Sequence, residues 1–460
     1  MVSRCFDQVH NQDLIVAVAE AIFPFQYQIR DRDMSQESLI HRRDAILGRN
    51  AQLFYDEPLN LVKGRGVSLW DAEGRRYVDL YNNVPGIGHG HPRVAEALRR
   101  QQGQLNVSSR FVTNTVVEYA ERLVGLHADG IESLIFSCSG TEANEIALRM
   151  ARATTGQQGI VCTDSAYHGN STEVSKLARL PVRDSSRGPF RSFPYPQKFS
   201  PEVRAMSNAQ RKDLYLAELQ TAIRGLELDG FGLAALILCP IFANEGVPEV
   251  PDGFLKEAFE LVRMNGGLVI SDEVQSGFGR SGSWWGYQIC DEDPDIVSMG
   301  KAIGNGVPFA ATGSSHDYVS KFREKLPYFN SVAGTPLQAA VGSVVLDVMD
   351  EESLVEKARD TGRFLVNELQ TVVSGSSVIA DVRGQGTFIA LEVVKRNSKV
   401  SPDPDLAGFM VNSLKSKGFL VGSSGPDRNL IKLRPPLVFG KSEACDFVGT
   451  FASVHANVAE

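Results

Sequence analysis

Several things are scarce in this chain. Its 460 residues hold only six cysteines: Cys5, Cys138, Cys162, Cys239, Cys290 and Cys445. They are scattered and form no C-x-x-C pair, which argues against a disulfide framework or a zinc site. Cys138, Cys162 and Cys239 lie in apolar runs, where small thiols are ordinarily buried and reduced. A reducing, cytoplasmic setting is therefore expected. Positive charge is not in excess. Lys and Arg total 47 against 55 Asp and Glu, a net charge of -8. That balance is wrong for a general nucleic-acid binder, which needs a basic surface. No stretch reaches the roughly 18 apolar residues of a membrane span. Residues 14–23 imitate the core of a signal peptide, but Asp13 precedes them and Glu20 interrupts them. No small-residue cleavage site follows cleanly. A short helix, or sequence outside the fold, is expected there. Internal repeats and low-complexity tracts are lacking too.

What is present has the composition of an ordinary globular protein, with 43% hydrophobic and 22% charged residues. The length suits about two to three domains. From about residue 60, short apolar runs alternate with helical periodicity. Residues 67–70 and 76–80 predict a hairpin around Asp71-Ala72-Glu73-Gly74. Strands are predicted at 133–138, 159–163, 233–238, 268–271, 296–299 and 309–313, and helices at 141–152 and 253–265. This is the pattern of an α/β fold, with a mostly parallel sheet covered on both faces. Residues 185–201 are rich in Ser, Arg, Pro and aromatics and read as a long surface excursion. A helix at 336–350 should lead into a smaller α+β unit. That unit is expected to hold helices at 354–373, 406–417 and from Ser442, and strands at 378–383 and 387–393. The expected divisions are an N-terminal extension (1–34), an N-terminal part of a small domain (35–80), a large domain (81–345) and the rest of the small domain (346–460). Met34 would make an alternative start.

Chemistry is suggested where predicted strands end. Ser139-Gly140-Thr141-Glu142-Ala143-Asn144 joins a strand to a helix. The first N–H groups of a helix lack partners and carry partial positive charge, so a phosphate is a natural occupant. Gly140 allows close approach and the Thr141 hydroxyl adds a donor. A plain helix cap explains the same segment. Asp272 ends the apolar run at 268–271, at the strand end where open α/β sheets bind ligands. A buried carboxylate there needs a cationic or hydrogen-bonding partner, such as a protonated pyridine nitrogen. It reads equally as an N-cap. Lys301 follows another apolar strand, where partial desolvation would free its amine to attack an aldehyde. Alone it is also an ordinary loop lysine. Tyr167, in Tyr167-His168-Gly169, can stack on a flat ring or sit in the core. Thr335, in Gly334-Thr335-Pro336, opens a helix as a phosphate donor or as a simple cap. The combination is more specific than any part: a phosphate cradle, a stacking aromatic, a ring-nitrogen acid and an imine-forming lysine on successive strand ends.

The order of SGTEANE (139–145), YHG (167–169), DEVQSGFGR (272–280), SMGKAIGNG (298–306) and GTPL (334–337) resembles the class-III, or subgroup II, aminotransferases. These are pyridoxal-phosphate (PLP) enzymes of fold type I, with a large domain and a small α+β domain built from both chain ends. The resemblance implies that Lys301 forms the Schiff base and shuttles protons. It implies that Asp272 pairs with the pyridine nitrogen, and that Gln275 approaches the phenolic oxygen. Val274 would pack on the ring face opposite Tyr167, and Gly140 and Thr141 would bind the phosphate. Thr335 would reach the phosphate of a neighbouring subunit in a homodimer. Two departures stand out. A Glu-Pro pair common in the family is Cys239-Pro240 here. An Arg three residues before the Pro-Pro pair is Lys432, with Arg434 beside the prolines. A lysine lacks the bidentate fork of arginine.

The segment 425–432, with Tyr81-Asn82-Asn83-Val84, is closer to a branch that includes phospho-lyases of amino-alcohol phosphates. Lys432 and Arg434 would suit a substrate phosphate or a carboxylate. A solvated basic pair on an edge strand is the plain alternative. The first expectation is amino transfer from a small amine or amino acid to an oxo acid. The second is elimination of phosphate and ammonia, and a non-catalytic PLP-binding protein is the third. No metal is expected.

Overall fold

The structure, a computed structural model, describes residues 36–197, 200–290 and 292–459. The stretch at 14–23, the start at Met34 and Cys5 lie outside the described residues. Two compact units are present, Met1–Asn60 and Leu61–Glu460. In the first, Gln36–Leu47 is helical.

The second unit begins with strands β1 (Leu61–Arg65), β2 (Ser68–Asp71) and β3 (Arg76–Asp79). The β2–β3 pair is the predicted antiparallel hairpin. The main sheet then uses β4 (Ser133–Ser137), β5 (Gly159–Thr163), β6 (Phe190–Phe193), β7 (Leu233–Leu238), β8 (Leu268–Asp272), β9 (Ile296–Met299) and β10 (Ala310–Ser314). Its order is β4-β10-β9-β8-β7-β5-β6. β10 runs antiparallel to both neighbours, and the other pairs are parallel. The six remaining strands therefore end at one edge of the sheet, where ligands bind in such folds.

Two-residue alternation sends side chains to opposite faces, and both faces are covered. Ile160, Cys162, Ala235, Ile237 and Ile270 pack with Ile146, Ala147 and Met150 of the Gly140–Thr155 helix. Val161, Leu236, Leu238 and Val269 pack with Leu219 and Phe259 of two helices on the other side, Asn208–Leu228 and Phe254–Met264.

The long Pro336–Glu351 helix leads to Leu354–Val372 and on to β11 (Ile379–Gln385) and β12 (Phe388–Val393). After the Pro404–Ser416 helix come β13 (Phe419–Leu420), β14 (Gly422–Ser424) and β15 (Leu430–Leu433). The Lys441–Ala459 helix closes the chain. β13 pairs in parallel with β3, so the start and end of this unit share a sheet. β15 lies between β12 and β14 and is not an edge strand.

The surface excursion expected at 185–201 is corrected. Phe190–Phe193 is a fully buried strand beside β5. Its Ser and Arg residues hid it, because their polarity is absorbed locally: Ser192 donates to the Leu180 carbonyl at 2.7 Å, and Arg191 pairs with Asp229. The helices Pro92–Gln104, Asn114–Val124 and Asn208–Leu228 were not anticipated either. Among the described residues no disulfide forms: Cys138, Cys162, Cys239, Cys290 and Cys445 are free.

Phe193 packs beside Phe254, with ring centroids 6.4 Å apart. Phe193→Ala should cost about 3–5 kcal/mol in a urea titration, as a core truncation does. A loss below about 0.5 kcal/mol would mean the side chain sits on the surface.

Candidate active site

Asp272 ends β8 and is buried. Burial by itself raises the pKa of its carboxyl. The His168 hydrogen bond, the His168 and Lys301 charges and the Val274 N–H outweigh that, and the group is held below its ordinary value. His168 Nδ1 lies 2.6 Å from Oδ2, Asn144 Nδ2 donates to Oδ2 at 3.0 Å, and the Val274 N–H donates to Oδ1 at 3.0 Å. Asn144 is itself fixed. It donates to the His168 carbonyl at 2.7 Å and accepts from the Ser298 hydroxyl at 2.5 Å. Three groups thus converge on one carboxylate, and Ser298 on β9 steadies one of them. A carboxylate offers about four acceptor positions, and Oδ1 has one to spare. A cationic ring N–H fits there.

Lys301 follows β9 and is partly buried, with φ +47. That left-handed conformation is uncommon for a side-chain-bearing residue and often marks functional sites. Burial, opposed by Asp272 and aided by Arg434, brings its amine down to about 8. A neutral amine is the nucleophile that an aldehyde requires.

Between Asp272 and Lys301 the backbone is close-packed. A Cβ added to Gly140 would lie 2.8 Å from Val274 Cγ1, and one on Gly300 would lie 3.4 Å from Gly140 Cα. Val274 is thereby wedged against the start of the Gly140–Thr155 helix. Ser139 caps that helix, accepting the Glu142 N–H at 3.2 Å. The Thr141 hydroxyl donates to Asn170 Oδ1 at 3.2 Å. Gly169, at φ +142, passes so near that a Cβ would be 2.6 Å from the Thr141 hydroxyl. This glycine-lined helix start matches a phosphate's need for close backbone N–H groups.

Tyr167 is 52% exposed, so the core-aromatic alternative fails. Gln275 donates to Asn244 Oδ1 at 2.9 Å and accepts from Arg434 Nη1 at 2.9 Å. Thr335 is buried and caps its own helix, accepting the Gln338 N–H at 3.4 Å.

Lys432 and Arg434 also depart from the solvated alternative. Lys432 is buried, only 3% exposed, and Arg434 is partly buried. Burial, reinforced by Arg434, brings the Lys432 amine down to about 7. Its Nζ donates to the Ala243 carbonyl at 2.7 Å and lies 5.3 Å from the centre of the Phe388 ring. Arg434 stacks on Tyr81 at 4.2 Å, and its Nε donates to the Tyr81 carbonyl at 2.7 Å. Cys239 is buried beside Ser276, its thiol pushed up by burial.

Several supporting residues went unrecognised in the sequence. Asn144 and His168 lie inside quoted motifs, yet their roles came only with the fold. Glu273 is buried and accepts from Ser271, Ser276 and the N–H groups of Gly286 and Tyr287 at 2.7–2.9 Å. It anchors the turn that follows Asp272. A polar residue on an otherwise apolar helix face, as Asn144 is, was the one available signal.

The family model for class-III aminotransferases matches residues 52–454. This chain belongs to that family. Among curated relatives, it is 32% identical to an alanine–glyoxylate aminotransferase 2-like protein of Drosophila melanogaster, covering 92% of this chain and 89% of that one. It is 31% identical to ethanolamine-phosphate phospho-lyase homolog 1 of Caenorhabditis elegans, covering 90% and 92%. Among solved structures, it resembles a phospholyase from Arthrobacter in complex with phosphoethanolamine. That likeness has a TM-score of 0.88 and 37% identity over 91% of this chain and all of the other. The family's cofactor is pyridoxal 5'-phosphate, and the residues around Asp272 and Lys301 fit it.

Only the neutral lysine attacks the cofactor aldehyde. Covalent uptake of PLP by the apoprotein should therefore rise with pH about a midpoint near 8. Stopped-flow absorbance checks this. A midpoint near the ordinary lysine value of 10.5 would contradict the site's electrostatics.

Proposed function

We propose that this enzyme acts on a small amino-alcohol phosphate: Cα gives up a proton, the Cβ–O bond breaks to release phosphate, and one water then displaces ammonia and supplies the oxygen of the aldehyde left behind. The observation that carries this reading is the pair Lys432 and Arg434. Among the described residues, neither forms an ion pair with a carboxylate. Two adjacent basic groups, held by hydrogen bonds and not by a directly paired carboxylate, suit a phosphate better than a single carboxylate. Cys239 stands where many family members place a glutamate, and Glu245 remains as the acid whose charge acts on Lys432. The phospholyase likeness at 37% identity supports the same choice.

In this reading Asp272 holds the ring nitrogen protonated, and His168 and Asn144 keep Asp272 in place. Bound PLP supplies an electron sink for the charge left when the substrate Cα loses its proton. Lys301 takes that proton, and an amine near 8 is matched to the task at neutral pH. Tyr167 and Val274 would line the two sides of the bound cofactor, and Gly140 and Thr141 would hold its phosphate. Lys432 and Arg434 grip the substrate phosphate as its Cβ–O bond breaks.

Amino transfer to an oxo acid is the second reading. The family assignment and the aminotransferase relative favour it, and it uses Lys301 and Asp272 in the same way. A homodimer is also inferred. Phe111 and Val112 are 67% and 92% exposed, and Arg110 stacks at 4.0 Å on the exposed Phe329 ring. This apolar face lies beside the segment leading to Thr335, which would serve the partner's cofactor. Val112→Asp should shift the protein toward monomer in sedimentation and lower its PLP content. A monomeric wild type would exclude the shared site.

Phosphoethanolamine distinguishes the two chemistries. Phosphate and ammonia should appear in equal amounts without any oxo acid, and Lys301→Ala should abolish both. Lys432→Met should raise KM roughly 10-fold or more, the cost of one charged hydrogen bond. If phosphate stays bound to carbon while alanine or another amino donor converts the cofactor to its amine form, amino transfer is the activity.

A further inference from the structure

Residues 243–245 link Lys432, Thr163, Tyr167 and Gln275 by hydrogen bonds. The Ala243 carbonyl holds Lys432, and Glu245 accepts from the Thr163 hydroxyl at the end of β5. Between them, Asn244 donates to the Tyr167 carbonyl at 2.9 Å and accepts from Gln275 Nε2 at 2.9 Å. Gln275 in turn accepts from Arg434 Nη1 at 2.9 Å and from Asn83 Nδ2 at 3.4 Å.

The polarity of this chain is fixed at both ends. A backbone carbonyl can only accept, so Asn244 must turn its NH₂ toward Tyr167 and its oxygen toward Gln275. A guanidinium can only donate, so Gln275 must turn its oxygen toward Arg434. The two amides therefore meet in the one orientation that satisfies both. Linked amides of this kind also polarise and strengthen one another. Gln275 is left with a single spare N–H.

The backbone on either side is strained in a way that holds the segment in place. Phe242 and Val247 have φ +47 and +53. Left-handed conformations are costly for a β-branched residue such as Val247 and persist where the surroundings enforce them. The Gly246 carbonyl is tied to Arg383 Nε at 3.0 Å, which secures the far end.

We propose that Asn244 is a positioning residue that fixes the orientation of the Gln275 amide, so that Gln275 presents an N–H and never its oxygen to the phenolic oxygen of the cofactor. This rests on the reading above in which Gln275 faces that oxygen. The same hydrogen bonds join the phenolic oxygen to Arg434, the group assigned to the substrate anion.

The test is a pH titration of the visible band of the holoenzyme. A donor stabilises the charged phenolic oxygen, and without it that oxygen holds its proton more tightly. Asn244→Leu should move the midpoint up by about one pH unit, with PLP content and thermal midpoint close to wild type. Asn244→Ala asks the same with a smaller side chain, should the leucine variant fail to fold. Gln275→Leu is the reference and should move the midpoint in the same direction at least as far. If Gln275→Leu shifts the band and neither Asn244 variant does, Asn244 has no positioning role. If Gln275→Leu shifts nothing, Gln275 does not face the cofactor, and the assignment of that contact fails together with this proposal.

Discussion

A carboxylate kept ionised inside a protein must be surrounded before anything else can be arranged around it. Asp272 makes that demand at the carboxyl edge of the main sheet. Burial pushes its pKa up, and His168, the Lys301 charge and the Val274 N–H bring it back below the ordinary value, while Asn144, itself held by Ser298, fills a further acceptor position. Each partner is a polar group that would be costly to bury alone. Together they satisfy one another. The parallel strand order makes this possible, because it brings the ends of β4, β5, β8 and β9 to one edge.

The charge balance of the site follows from the same packing. Lys301 is drawn down by burial and steadied by Asp272, so its amine sits near the pH at which it must give and take protons. Arg434 acts on Lys301 and Lys432 alike, lowering both. Lys301 and Lys432 therefore share one electrostatic neighbourhood.

Much of the scaffold was legible because apolar runs of four to six residues ended in charged or small groups. β5, β7 and β9 lie where the pattern put them, and Asp272 and Lys301 stood out because each closes an apolar run. β6 did not stand out, since its Arg and Ser look like loop chemistry until Asp229 and the Leu180 carbonyl are seen to take them up. The roles of Asn144, His168 and Asn244 were out of reach for a related reason. A side-chain amide or imidazole acquires meaning from partners scores of residues away, such as Asp272, 128 and 104 positions from the first two. The burial of Lys432 was equally hidden, because only the strand order shows β15 to be an inner strand.

That inner position has an evolutionary consequence. On a flexible rim, a lineage can trade one recognition group for another at little risk. Here Lys432 is mortared into a sheet between β12 and β14 with the Phe388 ring against it, and Arg434 follows just past the strand's end over the Tyr81 ring. Exchanging Lys432 for a group of another charge would disturb the small sheet itself. Change at that position should therefore be slower than in the surrounding loops.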